Sequence, residues 1–183
     1  MSVPDWNVVA TVYEGGYRKT RRFLAPFGPI ARTTYFNVMV MRVEDREGFL
    51  AAVSAAVDNE PGLLNFLSRL VPCAAAFSFQ TAAEFEQQAR EIVLPWTPRL
   101  AGKSFHVRLH RRGFKGKLSS PEEERFLDDA LLAALSAAGT PGRIAFENPD
   151  AVILIETVDN RAGIALFTRD ELARYPFLRP ERS

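Results

Sequence analysis

GKSFHVRLHRRGFKGKLSSPEEE, residues 102–124, is the stretch of this 183-residue sequence in which pattern and charge are clearest. Alternation of apolar and polar residues predicts a strand over residues 103–111, with one covered face and one wet, basic face. The covered face is formed by Phe105, Val107 and Leu109. The wet face carries His106, Arg108 and His110. A rise of about 3.3 Å per residue places the two histidines roughly 13 Å apart, so they cannot share a metal ion. Two interpretations stay open for them: groups that stack on bases or hydrogen-bond to phosphate, and ordinary surface histidines.

The second half of this stretch predicts a flexible loop followed by a helix. Gly113 and Gly116 mark the loop. A capping box is predicted from Ser120 as the N-cap, Pro121 and Glu123. The acidic residues 122–124 complement the helix dipole, and Asp128-Asp129 are placed on the solvent face. These acids are therefore assigned no catalytic role.

The flanking sequence alternates strand and helix patterns, which favours an α/β or α+β fold with helices packed on sheets. Further strands are predicted over residues 6–13, 30–43, 71–79, 151–158 and 164–167. Helices are predicted over residues 17–24, 44–57, 63–70 and 170–175, and another is predicted to begin with a capping box at Thr81 and Glu84. The helix stop at Pro61-Gly62 predicts a boundary between a segment of residues 1–60 and a domain of residues 61–183.

Composition and motifs exclude several classes of protein. Hydrophobic residues make up 47% of the chain and charged residues 25%, which is typical of a globular protein with a packed core. One cysteine, Cys73, and two histidines make no disulfide and no zinc site. The sequence has no apolar run of 18 residues, no signal-peptide pattern, no phosphate-binding glycine motif and no nucleophile elbow. We therefore expect a cytoplasmic, non-catalytic protein without a metal or another cofactor.

Positive charge is concentrated in two stretches that contain no acidic residue, although the net charge is only +1. Residues 92–121 contain Arg99, Lys103, Arg108, Arg111, Arg112, Lys115 and Lys117. Residues 15–43 contain Arg18, Lys19, Arg21, Arg22, Arg32 and Arg42. Clustered cations repel one another, and a polyanion relieves that repulsion while releasing counterions. Charge alone therefore indicates a nucleic-acid surface, and the alternative is salt bridging to the Glu-rich helices.

Four motifs, in order, resemble the THUMP domain over Leu63 to Leu178, and the closest resemblance is to stand-alone proteins of the tRNA cytidine-acetylation adaptor type. They are FLSRLVPCAAAFSFQTAAEF (66–85), KSFHVRLHRRGF (103–114), SSPEEERFLDDALLAAL (119–135) and ENPDAVILIETVDNRAGIALF (147–167). Residues 1–60 resemble the ferredoxin-like segment that accompanies THUMP domains in tRNA-modifying enzymes. The resemblance implies a ferredoxin-like βα segment packed with a THUMP domain of mixed sheet and helices.

The resemblance also implies that the protein binds tRNA at its acceptor stem and 3′ end. The matching positions are Arg108, His110, Arg111, Arg112, Lys115 and Lys117. Phe114 either stacks on a base or folds back onto the core. Lys103 and His106 in the same stretch, and Arg18, Lys19, Arg21 and Arg22 in the other acid-free stretch, complete the predicted RNA-binding residues.

The sequence ends at Ser183 without a methyltransferase, thiolase-like or deaminase domain. The implied role is therefore that of an adaptor or delivery subunit for a separate tRNA-modifying enzyme, such as an acetyltransferase. Two other functions stay open. One is a small-molecule-binding enzyme or regulatory subunit, and the other is a protein–protein module whose basic face binds an acidic partner.

Overall fold

Two separate sheets and their helices make up the fold, as seen in a computed structural model that describes residues 2–179. The strands are β1 (Val8–Val12), β2 (Ile30–Arg32), β3 (Val38–Met41), β4 (Leu67–Pro72), β5 (Ala75–Ser78), β6 (Ser104–His110), β7 (Arg143–Ile144), β8 (Ala151–Val158) and β9 (Arg161–Thr168). The helices are α1 (Tyr17–Leu24), α2 (Arg46–Asn59), α3 (Ala82–Val93), α4 (Thr97–Leu100), α5 (Ser120–Ala137) and α6 (Arg169–Arg174). The predicted α+β fold class is confirmed.

The first sheet has the strand order β2-β3-β1-β4, and its pairs are antiparallel. With α1 and α2 it forms the βαββαβ order of a ferredoxin-like unit. Its strands are buried almost throughout, because helices cover one face and the apolar residues of β1, β3 and β4 point both ways.

Two predictions in this region are wrong. The strand predicted over residues 30–43 is a hairpin of β2 and β3, because the chain turns at residues 33–37 and Asn37 adopts a φ of 58°. The helix predicted over residues 63–70 is a 3₁₀ turn, Pro61–Asn65, followed by β4. The short apolar run in β4 is compatible with a helix or with a strand, and its pairing with β1 makes it a strand.

The second sheet has the order β5-β9-β8-β6-β7. β6 runs parallel to β7 and β8, whereas β8 and β9 are antiparallel. As predicted from its continuous apolar run, β8 is buried along its whole length. The apolar face of β6 packs on Leu127, Leu131 and Leu135 of α5.

Contacts divide the chain into two units, one made of the residues up to Ala76 together with those from Leu172 onward, and one made of Phe77–Glu171. This division differs from the boundary expected near residue 60. The reason is that β4 pairs with β1 and completes the first sheet, so residues 67–72 belong with the first unit.

The two predicted capping boxes have different outcomes. Thr81 is the N-cap of α3, and its hydroxyl accepts a hydrogen bond from the Glu84 amide at 3.1 Å. The N-cap of α5 is Ser119 rather than Ser120, and its side chain makes no capping hydrogen bond. With Ser119 as the N-cap, the N3 position is Glu122, so Glu123 lies one residue too far along the helix to complete the box. Among residues 2–179, no helix is both long enough and apolar enough to cross a bilayer.

Candidate nucleic-acid interface

The polar face of β6 is not the wet face that its alternation predicted. His106 is only 4% exposed, and its ring lies 5.6 Å from that of Phe146 in the loop after β7. Arg108 and His110 are half-buried. Burial lowers the pKa of His106 below its ordinary value, so this imidazole is neutral at pH 7. His106 is therefore a packed side chain and not a phosphate ligand.

Carboxylates of α5 cover part of the outer edge of β6. β7 pairs only with Ser104 and Phe105, so the amides farther along β6 need other acceptors. Asp128 Oδ1 accepts a hydrogen bond from the Val107 amide, and Glu124 Oε1 accepts one from the Leu109 amide, each at 2.9 Å. Asp128 is 7% exposed, so its predicted position on the solvent face is wrong.

This pairing explains why α5 is acidic on the side that faces the sheet. Burial raises the pKa of Asp128 to about 7 and also raises the pKa of Glu124. The amide hydrogen bonds act in the opposite direction, since they stabilise the ionised carboxylates. Arg108 lies near Glu124 and also favours its charged form, so part of the basic charge of β6 is neutralised within the fold.

Arg112 is a structural residue. Its guanidinium Nη1 donates to Glu156 Oε2 at 2.6 Å, and the two side chains are only 8% and 0% exposed. Its amide donates to Thr157 Oγ1, and its carbonyl accepts from the Asp159 amide. The charge of Arg112 thus neutralises a buried acid inside the second unit, and little of its side chain is left exposed to bind RNA.

The loop between β6 and α5 presents two free lysines. Phe114 packs against Phe79, with 4.9 Å between the ring centroids. Of its two predicted roles, it therefore takes the one in which the ring folds back onto the core. The amides of Lys117 and Leu118 both donate to the Phe114 carbonyl, which closes the turn. Lys115 and Lys117 are exposed, and neither forms an ion pair within the described chain.

Arg111 and Lys103 are the two remaining residues of this unit that were predicted to bind RNA. Arg111 is half-buried and donates to the carbonyl of Gly113, so its guanidinium holds the start of the loop. Lys103 is exposed but precedes β6, whereas the loop lysines follow it. The length of the strand, roughly 23 Å for seven residues, separates Lys103 from them. Of the nine RNA-binding residues predicted in this unit, Lys115 and Lys117 are therefore the exposed cations that share one loop. The half-buried Arg108 and His110 precede that loop in the chain.

The cations predicted in the first unit are on the surface. Arg18, Lys19, Arg21 and Arg22 lie on α1, and all four side chains are exposed. The Nζ of Lys19 lies 5.9 Å from the centroid of the Phe66 ring. Throughout residues 2–179, no carboxylate forms a salt bridge with any of these four cations. Their charge is therefore available to an external anion.

Glu123 on α5 and Glu86 on α3 form a carboxyl pair that the sequence analysis missed. Glu123 is 3% exposed, and its carboxyl group lies near that of Glu86. Burial, and then the neighbouring carboxylate, raise the pKa of Glu123 to about 8. Protonation of Glu123 therefore relieves both the cost of burying its charge and the repulsion between the two acids.

The second unit is therefore expected to lose stability as the pH rises. Glu123 titrates near its ordinary value of 4.5 in the unfolded chain and at about 8 in the fold, so its contribution is complete below the lower value and lost above the higher one. Glu123→Gln should be as stable as the wild type near pH 5 and more stable by about 1–2 kcal/mol near pH 8.5. Denaturant unfolding at both pH values measures this difference.

Glu122→Gln is the matched control, since Glu122 is exposed on the same turn of the helix. Its effect should be within about 0.5 kcal/mol at both pH values. A difference between Glu123→Gln and the wild type that does not change with pH would contradict the assignment of the proton to this pair.

No protein-family model matches this sequence, and no curated protein sequence resembles it significantly. Solved structures do resemble it. PH1313 from Pyrococcus horikoshii Ot3 matches with a TM-score of 0.57 and 10% identity, over 88% of this chain and 54% of that one. TrmN from Thermus thermophilus matches with a TM-score of 0.51 and 18% identity, over 87% and 44%.

A 4-thiouridine synthetase, solved in complex with RNA and ATP, matches with a TM-score of 0.51 and 11% identity, over 87% of this chain and 40% of that one. This chain thus spans about half the length of these proteins or less. Identities at this level show a shared fold, and the chain has a THUMP-like α+β fold.

Proposed function

We propose that this protein binds tRNA and presents it to a separate tRNA-modifying enzyme. The observation that carries the proposal is the group of exposed cations on α1 that no acid in the described chain pairs, together with Lys115 and Lys117 in the second unit. Exposed lysines and arginines of this kind bind phosphates and release counterions. The RNA complex of one structural neighbour supports the choice of RNA as the polyanion.

The adaptor role is the finer part of the proposal. The sequence contains none of the nucleophile, phosphate-loop or metal motifs that a catalytic domain would use. An acetyltransferase acting on tRNA cytidine is the partner that the sequence resemblance favours. In this role the protein grips the acceptor stem and 3′ end and holds the modified base at a fixed distance from the active site of the partner enzyme.

Salt dependence of tRNA binding tests the proposal. Contacts to about four phosphates should give a slope of about −3 to −4 in a plot of log affinity against log salt concentration. Fluorescence anisotropy with labelled tRNA measures the slope. Affinity that does not fall as the salt concentration rises would contradict phosphate-led binding.

A second experiment separates RNA binding from the two other functions. Capture of a partner protein from cell extract should be lost after nuclease treatment if RNA joins the two. Capture that survives nuclease would favour a protein–protein module. A bound metabolite without RNA, identified by mass spectrometry of the purified protein, would favour the small-molecule alternative.

A further inference from the structure

Phe36 is the most exposed large hydrophobic residue of the described chain, with 82% of its surface accessible. It lies at the tip of the hairpin between β2 and β3. Keeping a phenylalanine ring in water forgoes the free energy that its burial would contribute, about 1.5–3 kcal/mol. A single exposed ring is common on protein surfaces, so the surroundings of Phe36 decide whether it marks a contact surface.

The turn that displays Phe36 is held by hydrogen bonds. Thr33 Oγ1 accepts a hydrogen bond from the Tyr35 amide at 3.1 Å and donates to the Val38 carbonyl at 2.9 Å. Asn37, next in the chain, has a positive φ of 58°, and its carbonyl accepts from the Val12 amide at 3.0 Å. The ring is therefore presented from an ordered turn, and ordering costs little when a ligand binds.

Beside the ring lies a groove of about 430 Å³, which is the size of a site for a small ligand group. It is lined by residues 33–37, Tyr17 and Arg32. The guanidinium carbon of Arg32 lies 5.1 Å from the centroid of the Tyr17 ring, so the cation is held over an aromatic face. The Tyr17 hydroxyl is buried and makes no hydrogen bond within residues 2–179.

Arg32 is the one charged side chain among the described residues that line the groove. No acidic residue occurs between Glu14 and Glu44, and the exposed Arg32 forms no ion pair with any described residue. Tyr17 is the first residue of α1, so the basic helix begins at the groove. Arg21 follows Tyr17 by one turn, about 6 Å along the helix axis. Cations thus extend from the groove along α1.

We propose that this groove binds an unpaired nucleotide of RNA, with the base stacked on Phe36 and the neighbouring phosphates bound by Arg32 and the cations of α1. This inference rests on the proposed function, and it assigns the binding of an unpaired nucleotide to the first unit. An exposed aromatic ring flanked by planar cations suits a base with its phosphates, because every base has a π-face and every linkage a negative charge. An acidic peptide would use the cations and leave the ring without a stacking partner.

Binding of two RNA probes tests the inference. One probe is an unstructured single strand of about 12 nucleotides with 2-aminopurine at its centre, and the other is a blunt duplex of about 16 base pairs. Phe36→Ala should weaken single-strand binding at least about tenfold, which corresponds to about 1.4 kcal/mol, and leave duplex binding unchanged. The wild type should quench the 2-aminopurine emission, and the variant should not.

Three further variants show whether the effect comes from stacking at this position. Phe36→Trp should keep the affinity, whereas Phe36→Leu should behave like the alanine variant, because leucine is apolar but cannot stack. Phe146→Ala removes a ring that is 75% exposed in the second unit and should leave single-strand binding unchanged. Since Phe36 is exposed, its variants should unfold at the wild-type denaturant concentration.

Failure of this inference can be distinguished from failure of the proposed function. Equal single-strand affinity for the wild type and Phe36→Ala, an equal loss with Phe146→Ala, or an equal loss of duplex binding would overturn the inference. A polyglutamate peptide that loses affinity with Phe36→Ala as RNA does would also overturn it. If the wild type binds tRNA while Phe36→Ala has no effect, only this inference fails. If the wild type binds neither probe nor tRNA, the proposed function fails as well.

Discussion

Arg112→Ala is expected to lower the free energy of unfolding by about 3–5 kcal/mol. The substitution removes the guanidinium that lies 2.6 Å from Glu156, and that fully buried carboxylate loses this ion pair. A buried charge in this position either stays ionised at a high cost or takes up a proton. Urea unfolding followed by circular dichroism measures the change.

Two controls identify the cause of this loss. Arg111→Ala changes the neighbouring, half-buried arginine and should cost about 1 kcal/mol or less. The double variant Arg112→Met with Glu156→Leu removes both charges and should recover most of the stability, because a well-packed apolar pair replaces the ion pair. If Arg112→Ala keeps the wild-type stability but loses RNA affinity, then Arg112 is an RNA-binding residue after all.

Reversing the charge of Arg21 and Arg22 together is expected to weaken tRNA binding about 100-fold. Both side chains are exposed on α1 and form no salt bridge in the described chain. Losing two charge-assisted contacts at about 1.5 kcal/mol each removes roughly 3 kcal/mol of binding free energy. The salt-dependence slope should also decrease in magnitude by about 1–2.

Arg90→Glu with Arg125→Glu is the matched control, because both residues are exposed in the second unit and the net charge changes by the same amount. This control should weaken binding by less than about threefold, since it tests only the long-range effect of net charge. Equal losses in the two double variants would mean that overall charge, and not α1, is responsible for binding.

Local patterns predicted much of the fold. The bounds of α1 and of β8 depend on patterns and end signals within one segment, and the structure confirms them. The hairpin at residues 33–37 and strand β4 were missed. Strand β4 is decided by its pairing with β1, which is distant in sequence, and the hairpin is decided by the turn that lets β2 pair with β3.

The candidate site was predicted less well, because alternation shows which face of a strand is apolar but not what covers the other face. Phe146, forty residues after His106, lies against the His106 ring on the polar face of β6. By pattern, residues 30–43 predict one continuous strand, and in such a strand nothing distinguishes Phe36 as a contact residue. Asn37 in that run is a residue type that favours turns, and it was the available signal for the hairpin tip.

The amino-acid sequence establishes where positive charge is concentrated, since this depends only on the order of residues along the chain. Which of these charges remain available is decided by the tertiary structure. Arg112 pairs with Glu156, 44 residues away, while the cations of α1 face solvent. The difference has a physical cause: an ion pair needs two atoms within a few ångströms, and folding brings together acids and bases that no local pattern connects.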